Sequence, residues 1–252
     1  MRHLTSVAVA GSLVLGLAVG ANADWSDTLK NAAGAATAAS GASNAKGKSS
    51  IASGLSAAEM DGGLKDALAV GAERAIKGLG ASGGFLNDKA VRIPLPGPVR
   101  KLEDTLRMLG QGKRVDEFES ALNRAAEQAV PKAAPIVGNA IRGMSVTDAK
   151  QILTGPDDAA TRYFRGKTSG ALTSAFLPVV KSATDSAGTT SAFKKLADKA
   201  GGTLGTDLDI DKYVTEKTLD GLFLKLANEE KSIRQNPAAR STDLLKKVFG
   251  GK

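Results

Sequence analysis

From Ser56 onward, apolar side chains return every three or four positions, the spacing that lines one face of an α-helix. Ser56-Ala57-Ala58-Glu59 has the spacing of a capping box, in which hydroxyl and carboxylate satisfy orphan N–H groups reciprocally. Met60, Leu64, Leu68, Ala72, Ala75 and Leu79 continue as one stripe, weakened in its first turn by Gly62 and Gly63. Val99, Leu102, Leu106 and Leu109 predict a second helix, with Pro98 at its first position and Gly110 as its stop. Val115, Phe118, Leu122, Ala125 and Ala129 predict a third, ended by Pro131. Ala134 to Met144 is apolar on most sides, the pattern of a buried helix. Ser145-Val146-Thr147-Asp148 is a second capping box, opening a short helix that Gly155 closes.

Pro156-Asp157-Asp158 then begins a long helix with carboxylates at the positive end of its dipole. Phe164, Ala171, Ala175, Val179 and Ala183 lie along one side of it, and Pro178 predicts a kink. Phe193 and Leu196 mark a small helix. Asp211 starts another long one, with Leu219, Leu222, Phe223, Leu226 and Ile233 facing inward, and a last helix runs from Thr242 to Phe249. No convincing strand-period run appears, so the fold class is all-α: a single multi-helix domain of eight or nine helices. The longest interruption is Gly80 to Pro98, whose Pro94-Leu95-Pro96 forbids a helix and predicts an extended strap over an apolar groove.

Ahead of the periodic region the composition changes twice. Gly34 to Gly54 is almost entirely Ala, Gly and Ser with a few Lys, a flexible-linker composition, so residues 24–54 read as a short N-terminal segment and linker and residues 55–252 as the domain. Arg2 and His3, an apolar run from Val7 to Val19 and Ala21-Asn22-Ala23 follow the order of an export signal cleaved after Ala23. That run is shorter than the roughly 20 residues of a membrane helix, so the mature protein is expected to be soluble, in the periplasm or secreted.

Composition then narrows the chemistry. The chain has no cysteine and one histidine, His3, which the cleavage removes. A Ser-His-Asp triad, a Cys-His pair, a disulfide and any imidazole or thiolate metal site are thereby excluded from the mature form. The net charge of +8 admits anionic envelope material as a partner, but charges that alternate in sign along the helices read more simply as solvated faces, and aromatics at 4% argue against nucleic acid. No catalytic, cofactor-binding or metal-binding set is expected, and no cofactor.

The ordered segments Gly84-Phe85-Leu86-Asn87, Arg92-Ile93-Pro94-Leu95-Pro96, Asn123-Arg124-Ala125-Ala126-Glu127 and Asp158-Ala159-Ala160-Thr161-Arg162-Tyr163-Phe164 carry a family resemblance. Leu219-Asp220-Gly221-Leu222-Phe223 and the ending from Ala239 to Gly250 complete it. Together they resemble the exported bacterial family catalogued as domain of unknown function 4197. The resemblance spans Leu55 to Gly250 and implies no catalytic residues.

Several local patterns invite chemistry. Gly166-Lys167-Thr168 lacks the earlier glycine of a phosphate loop, since position 161 is threonine, and sits on a helix. Ser191-Ala192-Phe193-Lys194 matches S-x-x-K, but Lys167-Thr168-Ser169 precedes it where K-T-G should follow on a strand. Asp207, Asp209 and Asp211 alternate like calcium-loop ligands, yet Lys212 and Thr218 stand where glycine and glutamate are needed; they form a candidate weak calcium site or, more simply, helix caps. Arg92, Arg162 and Arg165 form a candidate anion site, set against internal pairing with Asp157, Asp158 or Glu127. The expected function is a non-enzymatic binding or interaction domain of the cell envelope, taking an amphipathic or anionic ligand. The alternatives are a carboxylate-based hydrolase of envelope material and a basic protein that binds anionic lipid surfaces.

Overall fold

The computed structural model describes residues 56–188, 191–192, 195 and 208–235. The expected export signal, the linker, Phe193, Lys194, Leu196, Asp207 and the helix from Thr242 to Phe249 lie outside the described residues. Within them the chain is all-helical, with no strand. Eight segments follow one another: α1 (Ala57–Gly80), α2 (Gly97–Lys101), α3 (Glu103–Met108), α4 (Gly112–Ala129), α5 (Ala133–Arg142), α6 (Val146–Thr154), α7 (Ala159–Ser186) and α8 (Ile210–Gln235). Counting α2 and α3 as one interrupted helix gives seven among the described residues against the eight or nine expected for the chain, two of which, at Phe193 and at Thr242 to Phe249, fall outside them.

Local signals act largely as the periodicity implies. Ser56 and Glu59 close a reciprocal box at the start of α1, and Ser145 and Asp148 do the same for α6. Gly62 and Gly63 do not interrupt α1. Pro131 does not stop the chain from turning on: Val130–Lys132 is a single 3₁₀ turn leading straight into α5. The helix expected over Val99–Leu109 breaks at Leu102, whose φ of −108° and ψ of 3° leave the helical range. Beyond the break Leu106 is buried but Leu109 is 57% exposed, so the fourth position of that stripe does not face the core. On α5, Val137, Gly138 and Ile141 are buried while Pro135 and Asn139 face solvent; the segment is amphipathic rather than enclosed.

The longest helix, α7, packs most extensively against α8 and α4 and also against α5 and α6. It runs as one helix through Pro178. Its buried line is Ala160, Phe164, Thr168, Leu172, Phe176, Val180 and Thr184. A four-residue spacing advances about 40° per step on a helix of 3.6 residues per turn, so this line winds around α7 and meets several neighbours. The stripe expected through Ala171, Ala175, Val179 and Ala183 lies one position off, with Ala171 exposed and the others half-buried. Phe164, Leu222 and Phe223 are core residues, each no more than 2% exposed.

The start of α7 is held from a distance. Asp158 makes no capping hydrogen bond; it pairs with Arg162 at 2.8 Å. Glu230, on α8, instead accepts the N–H groups of Ala160 and Thr161 and the Thr161 hydroxyl, each at 2.9 Å. Arg234 sits one turn on, 2.9 Å from Glu230 Oε1, and donates to the Ile152 carbonyl at 2.7 Å. Both charged side chains are almost fully buried, so a single carboxylate stitches the N-terminus of α7 to α8. At the far end, Thr184 donates to Asp211 at 2.6 Å, which makes α7 and α8 antiparallel.

Candidate functional site

The cleft of interest is built where α1 ends. Gly83, at φ +81°, adopts a backbone conformation that a side chain disfavours, and Gly84 N–H returns to the Ala81 carbonyl at 2.9 Å. Gly84 packs directly on the last turn of α1: a Cβ there would lie 2.4 Å from the Gly78 oxygen and 2.5 Å from the Leu79 oxygen. The chain can reverse this tightly only with glycine at that position.

Four contacts lock the segment that follows. Phe85 is fully buried against α8, so close to Gly221 that a Cβ on the glycine would lie 2.7 Å from the ring. Glu127, on α4, accepts the N–H groups of Phe85 and Leu86 at 3.1 and 3.3 Å. One turn earlier on α4, Asn123 accepts the Ile93 N–H at 2.8 Å and donates to the Ile93 carbonyl at 2.9 Å, imitating a strand partner for the strap. Tyr213, from α8, donates its hydroxyl to the Pro94 carbonyl at 3.0 Å, and burial pushes its pKa up. Ile93 and Leu95 are themselves buried, so the space under the strap is filled by the strap's own side chains. The apolar groove expected there is core.

The open volume lies at the other end of the loop. A cleft of about 550 Å³ separates the last turns of α1 from residues 83–89 and α8. Its floor includes Gly78, where an added Cβ would meet nothing within 4 Å. Its walls carry two ion pairs: Arg74 approaches Glu229 at 3.9 Å, and Lys225 forms a short ion pair with Asp88. Lys89, Asn87 and Asn228 add a third cation and two amides. The Lys225 ammonium, with help from the Ala90 N–H, holds the Asp88 carboxyl below the usual carboxylate range.

The family model described as protein of unknown function (DUF4197) matches residues 54–250. The chain belongs to this family. No curated protein and no solved structure matched it. In this DUF4197 chain the three arginines singled out by sequence engage carboxylates on three separate elements. Arg92 forks onto Glu119 of α4 at 3.1 and 3.2 Å, Arg162 pairs with Asp158, and Arg165 lies 3.6 Å from Asp220 of α8 with its guanidinium 4.5 Å above the Phe223 ring. Of the three partners expected for them only Asp158 is used; Glu127 holds the loop and Asp157 accepts from Gln235.

Asp209 accepts the Lys212 N–H at 2.9 Å, and Asp211 accepts from Thr184, so both carboxylates serve the start of α8. Asp207 lies outside the described residues. Among those residues no three His, Cys, Asp or Glu side chains gather as metal ligands would, and no helix is long and apolar enough to cross a membrane.

Sequence reasoning missed Asn123, Glu127 and Glu230 as ties and Arg74, Asp88, Lys225 and Glu229 as cleft walls. The ties had a signal: Leu226, Glu230 and Ile233 share one buried face, and a carboxylate at a stripe position must find donors. The walls had none, since each is an ordinary charge on a solvated face until α1, loop and α8 meet.

Proposed function

We propose that this chain is an exported, non-enzymatic binding domain of the bacterial envelope, and that the cleft beside Gly78 holds a small ligand bearing negative charge. The observation that carries this reading is the cleft's polar group set: Arg74, Lys89 and Lys225 with the amides of Asn87 and Asn228, against the carboxylates of Asp88 and Glu229. Cations outnumber carboxylates, and the Arg74–Glu229 and Lys225–Asp88 pairs each join different elements, so an anion entering between them gains partners already in place. Its volume is in the range of small-molecule sites, roughly 300–1,000 Å³. The buried ties at Phe85, Glu127 and Asn123 make the loop wall a rigid surface for such a ligand. Export is supported by the basic start, apolar run and small-x-small order of the first 23 residues.

A hydrolase would need one cleft carboxyl kept protonated to act as acid. Asp88 is shifted in the opposite direction and is bound to Lys225, which favours binding over turnover.

Native mass spectrometry of the protein recovered from its own envelope tests the reading. The expected result is a retained small anion that is lost from Arg74→Gln and Lys225→Gln variants whose melting is unchanged. Equal retention in the variants, or no retained mass at all, sinks the cleft assignment. Turnover of envelope material that disappears in Asp88→Asn with folding intact would promote the hydrolase instead.

A further inference from the structure

Met108 and Leu109 are the two most exposed large apolar side chains among the described residues, at 81% and 57%, and they are adjacent in the chain. They occupy the tip of the hairpin made by α3 and α4. The exposure is built in rather than frayed. Leu106 and Val115, on either side of the tip, are fully buried. Gly110 turns at φ +73°, its N–H donating to the Arg107 carbonyl at 3.0 Å, and the Gln111 N–H donates to the Leu106 carbonyl at 2.9 Å. That double bond pattern is a Schellman stop, which fixes the direction in which the tip projects.

Charge is sorted along the same hairpin. From Thr105 to Val115 there are three cations, Arg107, Lys113 and Arg114, and no acid; Glu103, Asp104, Asp116 and Glu117 all lie one turn behind. Arg107 folds back onto Glu103 and Asp116 at 2.9 and 2.7 Å. Lys113 remains 88% exposed, in a long pair with Glu117 at 3.8 Å, and Arg114 donates to the Gln111 amide oxygen at 3.0 Å. The order outward is therefore acids, then cations, then two apolar side chains.

We propose that this tip is an interfacial anchor for an anionic bilayer: Met108 and Leu109 enter the boundary between headgroups and acyl chains while Lys113 and Arg114 meet lipid phosphates. A bilayer accepts a small convex apolar tip, whereas a stable protein interface recruits roughly 20–30 residues a side. The phosphate layer above the acyl chains supplies an anion to Arg114, which meets no carboxylate among the described residues, and a second one to Lys113, whose pair with Glu117 is long and exposed. The anchor is independent of the cleft reading, since it lies on a different hairpin.

The absence of cysteine from the sequence permits a site-specific test on the full chain. Leu109→Cys carrying an environment-sensitive fluorophore is compared with Thr173→Cys, labelled alike on the exposed side of α7. On vesicles of phosphatidylglycerol and phosphatidylethanolamine, position 109 is expected to brighten and shift to the blue, and position 173 to stay unchanged. Lys113→Gln with Arg114→Gln should lower the partition behind the 109 signal by about tenfold or more, as should raising salt to about 0.5 M. The melting curve should not move, because all these side chains are exposed. An unchanged signal at 109, or an equal shift on phosphatidylcholine vesicles, overturns the proposal. So does a blue shift that grows with protein concentration in the absence of vesicles, which would assign the tip to a protein partner.

Discussion

Replacing Glu230 by alanine removes one buried carboxylate and leaves four separate groups without it. Two are backbone N–H donors at the start of α7, from Ala160 and Thr161; the third is the Thr161 hydroxyl and the fourth the guanidinium of Arg234. Each buried donor left without its acceptor costs about 1–3 kcal/mol, and breaking a buried ion pair costs about 3–5 kcal/mol. These overlap, because one carboxylate serves all of them and Arg234 keeps the Ile152 carbonyl. The expected loss is about 4–6 kcal/mol, a large part of the roughly 5–15 kcal/mol that a domain has in total. Urea unfolding followed by circular dichroism measures it. Glu230→Gln keeps the shape and one acceptor oxygen and should lose about half as much. Thr161→Val removes only the hydroxyl bond and should lose about 1 kcal/mol, which keeps the test open if the alanine variant does not fold. The matched control is Asp158→Ala. Its side chain makes an exposed pair with Arg162 and no cap, so it should cost no more than about 1 kcal/mol. Equal losses for Glu230→Ala and Asp158→Ala would refute the remote cap and return the role to the aspartate beside the helix.

The remaining predictions concern the cleft and the pH response. Gly84→Ala should destabilise by at least about 2 kcal/mol, because its Cβ would run into the Gly78 and Leu79 carbonyls, while Gly78→Ala, in open space on a helix, should be neutral or gain up to about 1 kcal/mol; thermal melting separates the two. Burial raises the Asp66 carboxyl above its usual 3.8, so ionising it costs more in the folded chain than in the unfolded one. Stability tied to Asp66 is therefore greatest below pH 3.8 and declines as pH rises through the folded value. Asp66→Asn should unfold at higher urea than the parent at neutral pH, with the gap closing as pH falls below 3.8; a gap that persists or widens in acid contradicts the assignment.

Helix positions were legible wherever the signal was local. Ser56 with Glu59 and Ser145 with Asp148 cap as their spacing implies, and Leu64, Leu68, Ala72, Ala75 and Leu79 form a buried stripe. The buried side of α7 was legible only to within one position. A helix with several neighbours has no single apolar face, and Thr168 and Thr184 become buried once their hydroxyls reach the Phe164 carbonyl and Asp211. The candidate site was less legible still. The interruption from Gly80 to Pro98 was legible as non-helical, but nothing in it announces Lys225 or Glu229 across the cleft.

Sequence by itself determined the helical class, the caps, the turn glycines and the exclusion of thiol and imidazole chemistry from any form lacking His3, since all of these depend on residue identity and on neighbours within about four positions. Only the tertiary structure decided which carboxylate caps α7, which side chains hold the strap, and where the open volume lies. Those outcomes join residues separated by 30 positions or more, as Asn123 is from Ile93, Glu230 from Ala160 and Lys225 from Asp88. A buried N–H must find an acceptor, but it takes whichever one the packing of distant helices delivers, and that choice carries no local pattern.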